Sequence, residues 1–243
     1  MYEEVGKKSM AINVSVYSKK IESLKKNFSI LSVDINKILD KYRNISFEGT
    51  SLSKKESFIS LMRLNPSTEL IRYLDSKTNL SHFKDKRSNI EYAIDLVLGW
   101  LSEDIIISHL REKNLQCDLN GRDKYRDFLS PKDISTQPDI KVKINDQYRA
   151  LEIMNDWNDY WIRSDKLDLR DNKFLRLSNE KSLFLGIAPM SSKGIFLDFS
   201  EKLDFIERYN PAYGKSSYTL NKVRNRMNDI DISIQELISV KYE

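Results

Sequence analysis

The chain has 243 residues, of which 40% are hydrophobic and 31% charged, a balance that excludes a disordered chain and supports one core with room for a helical extension. Its net charge of +4 is compatible with a polyanionic partner but does not demand one. No apolar run approaches the ~18 residues of a membrane span, so no membrane partner is expected.

The N-terminus, MYEEVGKKSM, lacks the basic-then-apolar order of a signal peptide. Residues 1–87 read as a helical accessory region. In SKKIESLKKNFSILSVDINKILDKY, residues Ile21, Leu24, Phe28, Leu31, Ile35 and Leu39 follow steps of three and four that predict one helical face. SKKESFISLMRL and STELIRYLDSK predict two shorter helices. Ser67 serves as the N-cap of the second, with Glu69 in its first turn. Ser88-Asn89 then opens a long helix to about Lys113, with Ile90, Ile94, Val97, Leu101 and Ile105 on one stripe. Gly99 within it marks a candidate close contact. LQCDL is the expected first strand, and a polar connection with Arg122, Lys124, Arg126 and Lys132 follows. Those basic residues face phosphate in one reading; in the other, Asp123, Asp127 and Asp133 neutralise them.

Residues 138–154, PDIKVKINDQYRALEIM, carry the most chemistry. Ile140, Val142 and Ile144 alternate with polar neighbours, and Leu151 and Ile153 alternate with Ala150, Glu152 and Met154. This is the period of two half-buried strands, and Asn145-Asp146 supplies a two-residue hairpin turn. Counting outward from that turn places Lys141 opposite Ala150 and Asp139 opposite Glu152. Directly opposed side chains share a sheet face roughly 5 Å apart. Two carboxylates so placed repel, and a divalent metal between them is one resolution. The other is a solvated edge hairpin on which Lys141 and Lys143 supply the countercharge.

Pro138-Asp139 and Glu152-Ile153-Met154, with twelve residues between the two acids, resemble the motif of the PD-(D/E)XK nuclease superfamily, which includes many type II restriction endonucleases. LDLRDNKF (167–174) is similar to the helix start that follows that motif. SLFLGIAP and KGIFLDFS look like its closing strands, so the likeness covers about 89–200. It implies an α/β fold with a mixed central sheet flanked by helices, a restriction-endonuclease-like core at 88–200. It also implies a cytoplasmic, Mg²⁺-dependent endonuclease that acts on double-stranded DNA as a homodimer without a nucleotide cofactor. Asp139, Glu152 and the Ile153 carbonyl would hold the metal. The superfamily's lysine two residues after the second acid is replaced here by Met154, which cannot position a water. Lys141, on Asp139's strand face, and Lys166 and Lys173, on or near the following helix, are the candidate substitutes. Glu91, Asp95, Glu103 and Asp118 are candidate third acids. A repair, recombination or phage-defence nuclease without palindromic specificity, or an inactive DNA-binding module, would use the same core.

Trp157, Tyr160 and Trp161 crowd the loop after the motif and either stack on bases or roof the core. Asp168 or Asp171 is expected to start the helix containing Phe174 and Leu177. Residues 201–243 read as a C-terminal extension. Within it Lys215, Tyr218, Lys222, Arg224 and Arg226 form an acid-free basic and aromatic strip suited to DNA contact, or an ordinary exposed loop. IDISIQELISVKYE closes the chain as a helix whose Ile230, Ile234, Leu237 and Ile238 suit core or dimer packing. Cys117, the only cysteine, excludes an intrachain disulfide, fits a reducing cytosol and reads as core. His82 and His109 have no metal-ligand spacing.

Overall fold

The computed structural model describes residues 14–42 (side chains from 16), 52–64, 66–78, 87–121, 126, 128, 137–210 and 214–240. The chain order of elements is α1 (Val14–Leu31), α2 (Ile35–Asp40), α3 (Lys54–Met62), α4 (Thr68–Lys77), α5 (Asn89–Glu112), β1 (Cys117–Leu119), β2 (Ile140–Ile144) and β3 (Gln147–Asn155). There follow α6 (Tyr160–Ser164), β4 (Lys166–Arg170), α7 (Asp171–Asn179), β5 (Leu183–Ala188) and β6 (Lys193–Asp198). The chain ends with β7 (Phe205–Asn210), β8 (Lys215–Asn221), a 3-10 turn (Val223–Arg226), β9 (Asn228–Asp229) and α8 (Ile230–Ser239). Among the described residues no helix is long and apolar enough to cross a membrane.

Six strands form a mixed sheet in the order β1-β2-β3-β5-β6-β9, in which only β3 and β5 run parallel. The protein is therefore α/β with a mixed central sheet flanked by helices. Alternation divides the sheet's side chains between two cores. Ile140, Val142, Leu151, Ile153, Leu183, Leu185 and Ile187 pack with α1–α5 and α8 on one face. Phe184, Ile195 and Leu197, with Met154 beside them, pack on the other face with Trp161, Leu167, Leu169, Leu177 and Leu220. That second layer is built from α6, α7 and a three-stranded sheet, β4-β8-β7. β5 is buried at every position because both of its faces are covered.

Local chemistry accounts for the element ends. Ser88 and Glu91 form a reciprocal capping box at the start of α5, Ser53 and Glu56 do the same for α3, and Ser67 caps α4. The long face over residues 18–42 is two helices rather than one. Ser32 adopts a left-handed φ of 55°, and Asp34 then accepts hydrogen bonds from the Asn36 and Lys37 amides to restart the chain as α2. Gly99 has open space around its Cβ position and marks no close contact. Gly186 on β5 does, since a Cβ there would lie 2.8 Å from Ile195 Cγ2 and 2.9 Å from Trp161.

The described residues of 201–243 are woven into the fold instead of extending from it. β7 and β8 belong to the second sheet, β9 pairs with β6, and α8 packs on β5 and β6. Ile230, Ile234, Leu237 and Ile238 are all buried in the main core, so the apolar stripe of α8 is occupied within one chain. Trp157 and Trp161 likewise roof the two cores, whereas Tyr160 is exposed.

The crowding at Gly186 gives a direct test of how tightly α6 is seated on the sheet. Gly186→Ala should cost about 1–3 kcal/mol, because the added methyl must displace Trp161 or Ile195 from a close-packed layer. Urea unfolding reads the difference as a lowered midpoint at constant slope.

Candidate metal centre

The hairpin forms in the expected register. Ile144 pairs with Gln147, Lys141 with Ala150 and Ile140 with Leu151, which brings Asp139 level with Glu152 at the open end of the ladder. Asn145 and Asp146 both take left-handed φ values, 48° and 63°, as a two-residue turn of primed type requires. Asp139 lies one residue before β2, and its Oδ2 accepts the Ile153 amide at 2.9 Å. A side chain thus extends the ladder where the backbone of β2 has not yet begun.

Glu152 points into the second layer and is only 3% exposed. An unpaired carboxylate at that depth would be strongly unfavourable. Two cations from one face of α7, three residues apart, meet it. Lys173 Nζ donates to Oε1, and Arg176 donates to Oε2 at 2.5 Å. Of the three lysines expected to replace the motif lysine, Lys173 is the one that reaches the acids. Lys141 stays exposed and makes no ion pair among the described residues. Lys166 is on β4, beside the buried Leu167, and alternation turns it to the outer side of the small sheet, away from Glu152. LDLRDNKF is correspondingly a strand followed by a helix. Arg170 is the N-cap residue of α7, Asp171 lies in its first turn, and Asp168 remains in the strand.

Burial raises the Asp139 carboxyl well above the usual carboxylate range. The neighbouring charges of Glu152 and Glu103 raise it further, while Lys173 and the Ile153 amide oppose the shift. Glu103 is thus the candidate third acid that the fold brings to bear on Asp139, while Arg126 holds it at 2.5 Å. Glu91 caps its own helix, Asp95 pairs with Lys20 and Arg87, and Asp118 is exposed beside Arg111. Among the described residues, no group of three or more His, Cys, Asp or Glu side chains converges. The donor set is two carboxylates, with the Ile153 carbonyl as the third ligand implied by the motif. These hard oxygens are of the kind Mg²⁺ takes, and added positive charge would relieve Asp139, while both oxygens of Glu152 already meet Lys173 and Arg176.

Arg126, read as part of either a phosphate-facing or a self-neutralised surface, is buried instead, and also bonds Asp104 at 2.9 Å. Arg122, Lys124, Lys132, Asp123, Asp127 and Asp133 lie outside the described residues, as does His82. His109 is buried and donates from Nδ1 to the Leu31 carbonyl at 3.0 Å, and burial lowers its proton affinity. Burial pushes the Cys117 thiol up to about 11, which suits a core residue and not a nucleophile.

The basic strip is divided by its strand. Lys215 is exposed at the start of β8, but Tyr218 faces inward and stacks on Phe174 with ring centroids 3.9 Å apart. Lys222 is exposed in a left-handed turn, Arg224 bonds Asp165, and Arg226 is 3.9 Å from Asp204. Arg176, which sequence reasoning missed, carried one available signal: it follows Lys173 at helical spacing. No protein-family model and no curated protein matches this chain.

A raised carboxyl in the folded state binds protons that the unfolded chain has already released. Stability therefore falls as pH rises from the ordinary carboxylate value through the raised one. Asp139→Asn keeps an acceptor for the Ile153 amide and removes the charge. In EDTA the variant should melt above wild type at pH 8, and the gap should close toward pH 4, as followed by circular dichroism.

Proposed function

We propose that this protein is a Mg²⁺-dependent endonuclease acting on double-stranded DNA. The observation that carries the reading is the meeting of Asp139, Glu152 and Lys173 from three separate elements at one half-buried point. Mg²⁺ would supply charge stabilisation on the scissile phosphate and a lowered pKa for the attacking water. The residues of the chain prepare that place. Asp139, held by the Ile153 amide, and Glu152, held by Arg176, present carboxylate oxygens in fixed orientation. Lys173 brings a positive charge and N–H donors beside Glu152, suited to orienting a water or neutralising a phosphate oxygen. The apolar layer of Met154, Trp161 and Phe184 behind them lowers the local dielectric and strengthens each of these interactions. Cleavage at one short sequence by a homodimer is the form that the motif likeness suggests; a nuclease without palindromic specificity fits the same site.

A second reading, an inactive DNA-binding module, is favoured by one observation. Both oxygens of Glu152 are already engaged by cations, as in a structural ion pair. Incubation with mixed-sequence duplex DNA and Mg²⁺ separates the two. Discrete fragments mark a sequence-specific enzyme, a smear a nonspecific one, and intact but retarded DNA the binding module. For the enzyme, Asp139→Ala and Glu152→Ala should each lower the cleavage rate by roughly 10²–10³-fold or more. Lys173→Ala should cost about 10²-fold, whereas Lys141→Ala and Lys166→Ala should stay within about threefold in single-turnover assays at saturating protein. Near-normal cleavage by either acid variant would remove the assignment.

A further inference from the structure

The outer face of the three-stranded sheet carries a second arrangement that the metal centre does not use. The register of that sheet is Leu167↔Leu220, Asp168↔Thr219 and Arg170↔Ser217 on one side of β8, and Phe205↔Leu220, Ile206↔Thr219 and Arg208↔Ser217 on the other. Leu167, Leu169 and Leu220 are buried against α7, and they identify the inner face. Alternation then puts Lys166 and Arg170 of β4, Lys215 of β8 and Arg208 of β7 together on the opposite face. Arg170 and Arg208 flank the small Ser217 across two strand spacings, about 10 Å. The acid on this face, Asp168, accepts hydrogen bonds from Thr219 at 2.5 Å and Tyr160 at 3.1 Å, which disperse its charge. Beyond Ile206 the sheet borders a concavity of about 370 Å³ rimmed by Asn221, Lys222, Asn225 and Arg226, with Asp204 set 3.9 Å from Arg226.

We infer that this face binds the sugar–phosphate backbone of duplex DNA, an inference that rests on the nuclease reading of the Asp139–Glu152 site. Charge complementarity selects the partner. Four basic side chains stand around the buried Ser217 and Thr219, and guanidinium groups pair with phosphate oxygens through two donors at once. The exposed large apolar groups on this face, Tyr160 and Ile206, give a lipid surface little to bury, and Tyr209, more exposed still, alternates to the other side of β7. The face is also tied to the metal centre by the chain itself. β4 runs directly into α7, so Arg170 precedes Lys173 by three residues, one helical turn of about 5 Å. The link runs along the chain, since the face itself looks away from Glu152.

The test is fluorescence anisotropy with a labelled mixed-sequence duplex of about 20 base pairs, in EDTA, between about 50 and 200 mM salt. The doubly substituted Arg208→Gln/Lys215→Gln protein is compared with wild type. Both side chains are exposed, so its thermal midpoint serves as the folding control. Binding should weaken at least about tenfold, and the salt slope should fall by roughly two, one for each phosphate that is no longer neutralised. Lys166→Gln, an independent single change on β4, should lower the slope by about one. Lys25→Gln/Lys26→Gln on α1, in the layer beyond the main sheet, should bind as wild type does. Unchanged affinity and slope in Arg208→Gln/Lys215→Gln would overturn the inference. So would equal weakening in the α1 variant, or wild-type sedimentation with phosphatidylserine vesicles in place of duplex binding. Failure of the nuclease reading shows separately, as wild-type protein that binds duplex but leaves it intact with Mg²⁺.

Discussion

A single buried carboxylate ties the two layers of this protein together. Glu152 is on a central strand of the main sheet and points into the second layer, where water cannot solvate it. Such a group is tolerated only when its charge is met at close range. The partners come from one turn of α7, so the ion pair fixes both the depth of that helix and its rotation. Phe174, on the same helix, then lies flat against Tyr218 of the small sheet. The seating of α7 thereby determines where β4 and β8 run and which faces of the small sheet are inner and outer.

The same arrangement sets the surroundings of Asp139. Among the described residues Asp139 has no ion pair of its own: its hydrogen bond comes from a backbone amide, and burial and the surrounding acids raise its proton affinity. Other acids of the fold are differently placed. Asp104 is enclosed by Lys41, Arg126 and the Tyr42 hydroxyl, which anchor α2 and the polar connection to α5. Burial acts to raise the Asp198 carboxyl, but hydrogen bonds from Arg149 and Ser200 outweigh it and hold the group below the usual carboxylate range. These are settled charges with structural tasks. At Asp139 burial and the neighbouring acids outweigh Lys173 and the Ile153 amide, and the carboxyl is raised well above the usual carboxylate range.

Much of the local structure was legible in the sequence because its causes are local. Ser67 and Ser88 cap helices with their own side chains, within three residues of the groups they satisfy. The hairpin register follows from a two-residue turn and strict alternation, so the opposition of Asp139 and Glu152 was available before any coordinates. The break at Ser32 was not, because an unbroken apolar stripe continues across it and the left-handed residue leaves no periodic trace. The basic strip misled for a related reason. Its composition suggested a loop, but alternation along β8 sends Lys215 outward and Tyr218 inward.

The sequence by itself determined the capped helices, the hairpin, and the pairing of two acids across it, because each depends on neighbours a few residues apart. Only the tertiary structure decided which lysine serves Glu152, that Arg126 is a buried partner of Glu103 and Asp104, and that Lys166, Arg170, Arg208 and Lys215 form one surface. Those groupings join residues far apart in the chain. They arise from the burial of Glu152 and the stacking of one sheet over another, and no spacing along the sequence encodes either.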